Sequence, residues 1–300
     1  MQFVTVLEEY QGEMDSAITL GKFDGLHKGH QKLIHRMQEI SKEKDLTSIV
    51  FAFDMNRESL MTAEERCAYL EQTVDVLIFC PFSEEIQKME AEEFISEILV
   101  KQLKVKSIVV GVDFRFGYEK SGDIHMLNCF AKKYGYSVEV LEKETYQEKE
   151  ISSTYIKELL KKGDIELSKE LLGYPYGCSG RVEHGKKLGR TLGFPTMNVP
   201  VQPNKIMPRF GVYACKIYLD DNWYCGVGNV GIKPTVSKEN NTLLEVHVFG
   251  YTGDAYGKYV KVEFCKFIRP ETKFHGVEEL KLQVEKDIVS AKEFFHFTSK

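Results

Sequence analysis

No apolar run in this 300-residue sequence approaches the ~20 residues that a membrane-spanning helix needs. The opening Met1-Gln2-Phe3-Val4-Thr5 enters a strand-like pattern with no basic region leading an apolar core, so nothing reads as a signal peptide. Cys-x-x-Cys is also missing. The seven cysteines (Cys67, Cys80, Cys129, Cys178, Cys215, Cys225, Cys265) are odd in number and scattered. That argues against structural zinc and a disulfide framework, and for reduced thiols in a cytoplasm. A Walker-type Gly-x-x-x-x-Gly-Lys-Ser/Thr string is absent, which excludes an ordinary P-loop kinase. Excess positive charge is absent too: 40 Lys and Arg face 45 Asp and Glu, a formal net charge of −5. This argues against nonspecific nucleic-acid binding. Small molecules are left as the expected partners, and nothing in the sequence points to a protein partner.

A chain of this length is comfortable as two domains, with 43% hydrophobic and 28% charged residues typical of a soluble protein. Residues 1–172 alternate apolar runs (18–20, 48–53, 76–79, 107–112, 137–141) with amphipathic stretches near 31–43, 63–73, 91–103 and 124–134. Such alternation predicts an α/β domain with a parallel sheet, whose ligands sit at the carboxyl ends of the strands. The breaker cluster Gly173-Tyr174-Pro175-Tyr176-Gly177 marks a boundary. From about 178 to 268, short alternating strands separated by Gly, Asn and Asp predict an antiparallel β-barrel or sandwich. Val277, Leu280, Val284, Ile288 and Ala291 then recur at helical spacing, one terminal helix packed across the barrel.

The first domain turns on Gly21-Lys-Phe23-Asp24-Gly25-Leu-His27-Lys-Gly29-His30, between a strand and the helical repeat Leu33, Ile34, Met37, Ile40. His27 and His30 stand three apart at the helix start, so both imidazoles can project from one face. Free N–H groups and the positive end of the helix dipole point at the same spot, and Gly25 and Gly29 leave room beside the backbone. This is a phosphate site with two imidazoles added, suited to a reaction at phosphorus. Two further loops fall at strand ends. Asp113-Phe114-Arg115-Phe116-Gly117 sets a carboxylate and a guanidinium among aromatics, able to hold a ring and a phosphate or simply to ion-pair within a turn. Ser152-Ser153-Thr154 opens a helix, where hydroxyls cap it or donate to phosphate oxygens.

The second domain carries Gly180-Arg-Val-Glu-His-Gly185-Lys186-Lys187-Leu-Gly189-Arg190-Thr-Leu-Gly193-Phe-Pro195-Thr196-Met-Asn198, a basic Gly-rich loop suited to a polyphosphate. Thr196 and Asn198, two apart on an extended segment, point the same way and offer the hard oxygen ligands that Mg²⁺ prefers. In Leu243–Phe249, period-two alternation sets Leu244, Val246 and Val248 on one face and Glu245 and His247 on the other. A carboxylate there can take the proton of a substrate hydroxyl as that hydroxyl accepts a phosphoryl group.

The first motif resembles that of the HxGH nucleotidyltransferases, and the full string looks like the adenylyltransferase module of the bacterial bifunctional riboflavin kinase/FAD synthetases. The loop string Gly-Arg-x-Leu-Gly-Phe-Pro-Thr-x-Asn resembles the same family's kinase signature, and Gly226–Thr235 and Tyr256-Gly257-Lys258 match its pattern as well. Membership implies two activities: ATP-dependent phosphorylation of riboflavin to FMN in residues 174–300, and adenylylation of FMN to FAD in residues 1–172. It implies catalytic roles for His27, His30 and Glu245. It places ATP at Gly21, Phe23, Asp24, Gly25, Gly29, Asp113, Arg115, Ser152, Ser153, Thr154 and Lys157 in the first domain. In the second, ATP falls at Gly185, Lys186, Gly189, Arg190, Gly193, Pro195 and Thr196. Flavin contacts fall at Asn56, Phe114, Phe116, Asn229 and Arg269, and Mg²⁺ at Thr196 and Asn198. Three departures stand out. Lys157 replaces the usual Arg and cannot form a bidentate phosphate contact. Met55-Asn56-Arg57 replaces a Pro-His-Pro loop, and Gly250-Tyr251 replaces Asp-Phe. The rivals are another HxGH nucleotidyltransferase, disfavoured by the second signature, and a flavin sensor without turnover, disfavoured by His27, His30 and Glu245.

Overall fold

The chain's first apolar runs build eight strands: β1 (Gln2–Val4), β2 (Ser16–Gly21), β3 (Thr47–Asp54), β4 (Val76–Pro81), β5 (Val105–Gly111), the short pair β6 (Arg115–Phe116) and β7 (Gly122–Asp123), and β8 (Ser137–Leu141). The computed structural model describes residues 1–55, 57–185, 188–232 and 242–296. The expectations for Asn56, Lys186, Lys187 and the segment 233–235 lie outside these residues, as does the side chain of Arg190. Six strands form one parallel sheet in the order β1-β4-β3-β2-β5-β8. A parallel sheet needs helical crossovers, which cover both faces and drive near-continuous apolar strands. Ile18, Leu20, Ile49, Phe51, Ile78, Ile108 and Val110 share one core cluster with Phe94, Ile95, Ile98 and Leu99. The alternate residues Ala17, Val50, Leu77 and Val109 are also buried, and they are left for the other face. The helix Lys28–Lys44, which contacts β2, β3 and β5, buries its own Ile34, Met37 and Ile40.

Expected and observed elements agree closely here. The helix expected near 31–43 spans Lys28–Lys44, that near 63–73 spans Ala63–Leu70, and that near 124–134 spans Ile124–Tyr134. The stretch 91–103 differs in kind: after one turn at Ala91–Glu93 it widens to π-type turns over Phe94–Gln102, ending with the Leu103 N–H donating to the Ile98 carbonyl at 2.9 Å. Strand β1, too short for a period to register, adds a parallel edge beyond β4. A hairpin of β9 (Thr145–Tyr146) and β10 (Lys149–Glu150) follows the sheet.

The second half is an antiparallel sheet of β11 (Gly177–Arg181), β12 (Met197–Pro200), β13 (Gly211–Leu219), β14 (Asn222–Ile232), β15 (Thr242–Val248) and β16 (Tyr259–Pro270), ordered β11-β16-β13-β14-β15-β12. Its end strands approach one another. A Cβ on Gly180 would lie 3.2 Å from the Pro200 carbonyl oxygen, and the Glu183 N–H donates to the Asn198 carbonyl at 2.9 Å. The sheet is therefore a nearly closed barrel, filled by Tyr213, Cys215, Val230, Leu244, Val246, Val262 and Phe264. On its outside, Val212, Ala214 and Val227 pack with Ile288, Ala291 and Phe295 at the terminal helix Val277–Phe294.

The two compact units are Met1–Ser153 and Thr154–Lys300, so the helices Ser153–Lys162 and Ile165–Leu172 run largely with the second. The physical reason is contact with residues of the second unit. The Arg209 N–H donates to the Leu160 carbonyl at 2.8 Å, and Gly163 faces the Phe267 ring, where a Cβ would lie at 3.3 Å. The division precedes the 173–177 breaker cluster for that reason.

Two candidate active sites

In the parallel sheet the chain leaves β2 toward β3 on one side and returns as β5 on the other. The order therefore reverses between β2 and β5, and in open α/β sheets ligands bind at such a crevice. The loop Lys22–His27 lies there. Phe23 (φ 48°), Gly25 (φ 80°) and Leu26 (φ 40°) all turn left-handed, which packs three reversals into one tight loop. At Gly25 a side chain is excluded twice, by φ and by Leu60 Cδ1, 2.6 Å from where a Cβ would stand. Asp24 pins the loop from both ends of its residue: Oδ1 accepts from the Leu60 N–H at 2.6 Å, and its carbonyl accepts from Ser153 Oγ at 2.8 Å. Two of the expected ATP residues are thus joined to each other across the site.

His27 is the helix N-cap, and His30 stacks on it with ring centroids 3.7 Å apart and planes 22° from parallel. Phe23 packs against His30 at 5.1 Å. Burial lowers the pKa of His27 to about 4, against a smaller opposing pull from Asp24. Burial, then His27, then Arg66 hold His30 well below the ordinary imidazole value. Both rings are neutral near pH 7. Their Nδ1 atoms are buried without a hydrogen-bond partner among the described residues, and a neutral imidazole carries one N–H donor. The pair offers neutral N–H donors beside the first turn of a helix.

The other strand-end loops are organised less as expected. Asp113 and Arg115 do not pair with each other. Asp113 Oδ2 lies 2.8 Å from Lys143 Nζ, and Arg115 Nη1 lies 3.6 Å from Asp123 Oδ2. Phe116 is a core residue packed on Phe94 at 5.7 Å, while Phe114 stacks over it at 5.5 Å and is the more exposed ring. Ser152, Thr154 and Lys157 lie at the start of the helix Ser153–Lys162, Thr154 exposed. Beyond β3 and β4, Asp54, Met55, Arg57, Phe82, Ser83 and Gln87 line an open groove of about 540 Å³, which takes in Met55 and Arg57 of the sequence departure noted above.

On the barrel, strand register gathers residues that lie far apart in sequence. Asn198 of β12 is directly across from Glu245 of β15, and Glu245 is directly across from Asn229 of β14. Residues so paired share a face, here the outer one. Two glycines shape the loop around them. A Cβ on Gly185 would lie 2.1 Å from Asn198 Nδ2, and one on Gly189 would lie 2.4 Å from the Phe194 carbonyl and 3.2 Å from Thr196 Oγ1. Gly193 turns at φ 89°. The Pro195 carbonyl lies 2.9 Å from His247 Nδ1, so the Phe-Pro-Thr turn is tied to the strand that carries Glu245. Arg269 donates from Nε and Nη2 to the two Asp287 carboxylate oxygens at 2.8 and 2.7 Å, bidentate onto the terminal helix.

Two residues of these sites were not anticipated. Arg66, buried under the first loop, donates from Nη1 to the Lys22 carbonyl at 3.2 Å and stacks on Phe79 at 4.8 Å. The Thr62-x-x-Glu65 capping box fixes where its helix starts, but nothing in the sequence shows what that helix packs against. His247 shares the polar face of Glu245, but only register shows that it reaches Pro195.

The FAD synthetase family matches residues 10–155 and the riboflavin kinase family residues 172–295. Among curated relatives, the bifunctional riboflavin kinase/FMN adenylyltransferase of Haemophilus influenzae is 39% identical over 292 residues, 93% of this chain and 94% of that one. The Escherichia coli protein of the same name is 37% identical over 293 residues, covering 94% and 93%, and that of Bacillus subtilis 39% over 295, covering 93% and 92%. A solved structure described as a macrolide-efflux protein from Streptococcus pneumoniae aligns over 100% of both chains with a TM-score of 0.87 and 27% identity. That likeness carries the fold. Among the described residues no helix is long and apolar enough to cross a membrane.

Proposed function

The chain belongs to the bifunctional riboflavin kinase/FMN adenylyltransferase family, and from that premise we propose how its residues share out two ATP-dependent reactions. Riboflavin and ATP give FMN and ADP; FMN and a second ATP then give FAD and pyrophosphate. We assign the first reaction to residues 174–300 and the second to residues 1–172, in a cytoplasmic enzyme.

In the adenylyl transfer, an FMN phosphate oxygen attacks the α-phosphorus of ATP and pyrophosphate leaves. Charge grows on the phosphate oxygens as the bond breaks. His27 and His30 meet that charge as neutral donors, beside the N–H groups of the helix start. Gly21, Phe23, Gly25 and Gly29 let the phosphates approach the backbone, while Asp24 and Ser153 hold the loop's shape. Asp113, Arg115, Ser152, Thr154 and Lys157 supply the outer contacts to ATP, and Phe114 and Asn56 with Phe116 form the flavin side.

In the phosphoryl transfer, Glu245 takes the proton of the substrate hydroxyl, and the loop of Gly185, Lys186, Gly189, Arg190, Gly193 and Pro195 receives the nucleotide. The donor chemistry fits Mg²⁺. Thr196 offers a hydroxyl, 3.2 Å from where a Cβ on Gly189 would stand, and Asn198 an amide whose place beside Gly185 leaves no room for a Cβ there. Among the described residues no cluster of three His, Cys, Asp or Glu could hold a metal alone, which suits a cation shared with substrate phosphates. Thr196 and Asn198 would hold the ion, which when bound neutralises charge on the β- and γ-phosphates. Asn229 and Arg269 make the flavin contacts on this unit, Arg269 while held by Asp287 of the terminal helix.

The observation that carries this reading is the stacked, neutral His27–His30 pair at the switch point of a parallel sheet, in one chain with the Asn198–Glu245–Asn229 row on a barrel. Incubating the protein with riboflavin and Mg-ATP and separating the flavins tests it. FMN followed by FAD is expected, and unchanged riboflavin refutes it.

A further inference from the structure

Strand β14 places Gly231 two residues beyond Asn229, on the same face of the sheet. A Cβ on Gly231 would lie 2.2 Å from Glu271 Oε1 and 3.5 Å from Asn229 Nδ2. The missing side chain is therefore the space in which the Glu271 carboxylate rests, next to the amide of Asn229. Asn229 is itself directly across from Glu245. Gly231 is a diagonal neighbour of Glu245 on the same face, positions that stand about 7–8 Å apart, so the second carboxylate rests over a position next to that of the proposed base.

The position of Glu271 is set from both sides. Arg269 is clamped to Asp287, and its Nη1 donates to the Pro270 carbonyl at 3.0 Å and to Thr272 Oγ1 at 3.4 Å. Phe274 packs under the same guanidinium at 5.7 Å. Glu271 is held between these anchored neighbours, yet its carboxylate is exposed and has no hydrogen bond or ion pair among the described residues. A carboxylate held in place, with no partner among the described residues and facing the same side as the proposed base, is available to a ligand.

We propose that Glu271 is a substrate-binding residue of the phosphorylation site, its carboxylate accepting hydrogen bonds from the hydroxyls of riboflavin's polyol chain. The inference rests on the assignment of riboflavin phosphorylation to this unit. The reacting hydroxyl ends the polyol and must lie at Glu245. The remaining hydroxyls climb from there toward the flavin ring, over the span that separates Glu245 from Glu271. An ionised carboxylate accepts from two neighbouring hydroxyls at once, which suits a polyol better than a flat ring. A site that spends a charged acceptor on hydroxyls discriminates against an analogue that lacks them.

The test measures riboflavin phosphorylation by the full-length protein and its Glu271→Gln and Glu271→Ala variants. Lumiflavin, which keeps the ring and lacks the polyol, serves as competitive inhibitor. Expected is a rise of about tenfold or more in KM for riboflavin with kcat changed less than about threefold, the scale of one charge-assisted hydrogen bond lost. The inhibition constant of lumiflavin stays as in the wild type. Unchanged KM in both variants overturns the proposal. Equal weakening of riboflavin and lumiflavin overturns it in favour of a ring contact, and a fall in kcat alone makes Glu271 part of the chemistry instead. Wild-type protein that leaves riboflavin unphosphorylated refutes the underlying assignment, a result distinct from all of these.

Discussion

Burial decides how the two histidines work. A buried imidazolium would have to leave water with too little opposing charge to offset the loss, Asp24 being the weaker influence on His27, so the rings stay neutral and act as donors. Replacing either His27 or His30 by Ala should lower kcat for FAD synthesis about 10²–10³-fold, the effect of removing one preorganised donor. ATP affinity should fall much less, because Gly25, Gly29 and the helix N–H groups remain. Full FAD synthesis by the double variant would sink this role. The same burial makes stability depend on pH. Above pH 6.5 folded and unfolded chains both hold His27 neutral; below it the unfolded chain takes up a proton that the folded ring refuses until about pH 4. Stability is therefore present above that window and is lost as pH falls through it. A His27→Gln variant should show a smaller drop in its urea midpoint between about pH 7 and about pH 5. Identical drops in the two proteins would mean the ring is not held neutral. On the barrel, Glu245→Gln keeps size and hydrogen bonding but removes the base, so FMN formation should stop while FAD formation from supplied FMN continues. Unchanged riboflavin turnover would exclude Glu245.

At the scale of elements, the sites depend on loops pressed against strands. Gly185 has no space for a methyl group because Asn198 Nδ2 occupies it at 2.1 Å. Gly185→Ala should push Asn198 out of line with Glu245 and cut riboflavin phosphorylation about 10²-fold, the usual cost of an ångström-scale misplacement. FAD synthesis from FMN, assayed on the same protein, should be unaffected. The terminal helix depends on one ion pair, Arg269 with Asp287, whose carboxylate side chain is 3% exposed. Removing one member of a buried pair leaves the other charged and unpaired. Asp287→Ala should therefore destabilise the barrel unit by about 3 kcal/mol, read from denaturant unfolding. A change near zero would mean that apolar packing by Ile288 and Ala291 alone holds the helix.

For the molecule as a whole, the question is where it can be cut. Ile165, Leu171 and Leu172 are fully buried, and the Leu160 carbonyl is bound by Arg209, so residues 154–300 form the compact unit. A fragment of residues 154–300 should phosphorylate riboflavin and make no FAD, whereas 174–300 should unfold at lower denaturant. A folded but inactive 154–300 fragment would remove the kinase from this half. The breaker cluster at 173–177 was plain in the sequence, because Gly and Pro act locally; packing of the preceding helices was not, because it needs Arg209 and Phe267, distant in the chain. The same contrast runs through both sites. Period-two and helical spacing determined the parallel sheet, the barrel strands, the terminal helix and the outward face of Glu245, since those patterns are set by neighbours within one element. Motif spacing likewise brought His27 and His30 onto one helix face. Tertiary structure alone decided that Asp113 and Arg115 take separate partners, that Arg269 is held by Asp287, and that Arg66 lies beneath the phosphate loop. A charged side chain takes whatever opposite charge or carbonyl the fold brings within a few ångströms, and no periodicity in the chain encodes that meeting.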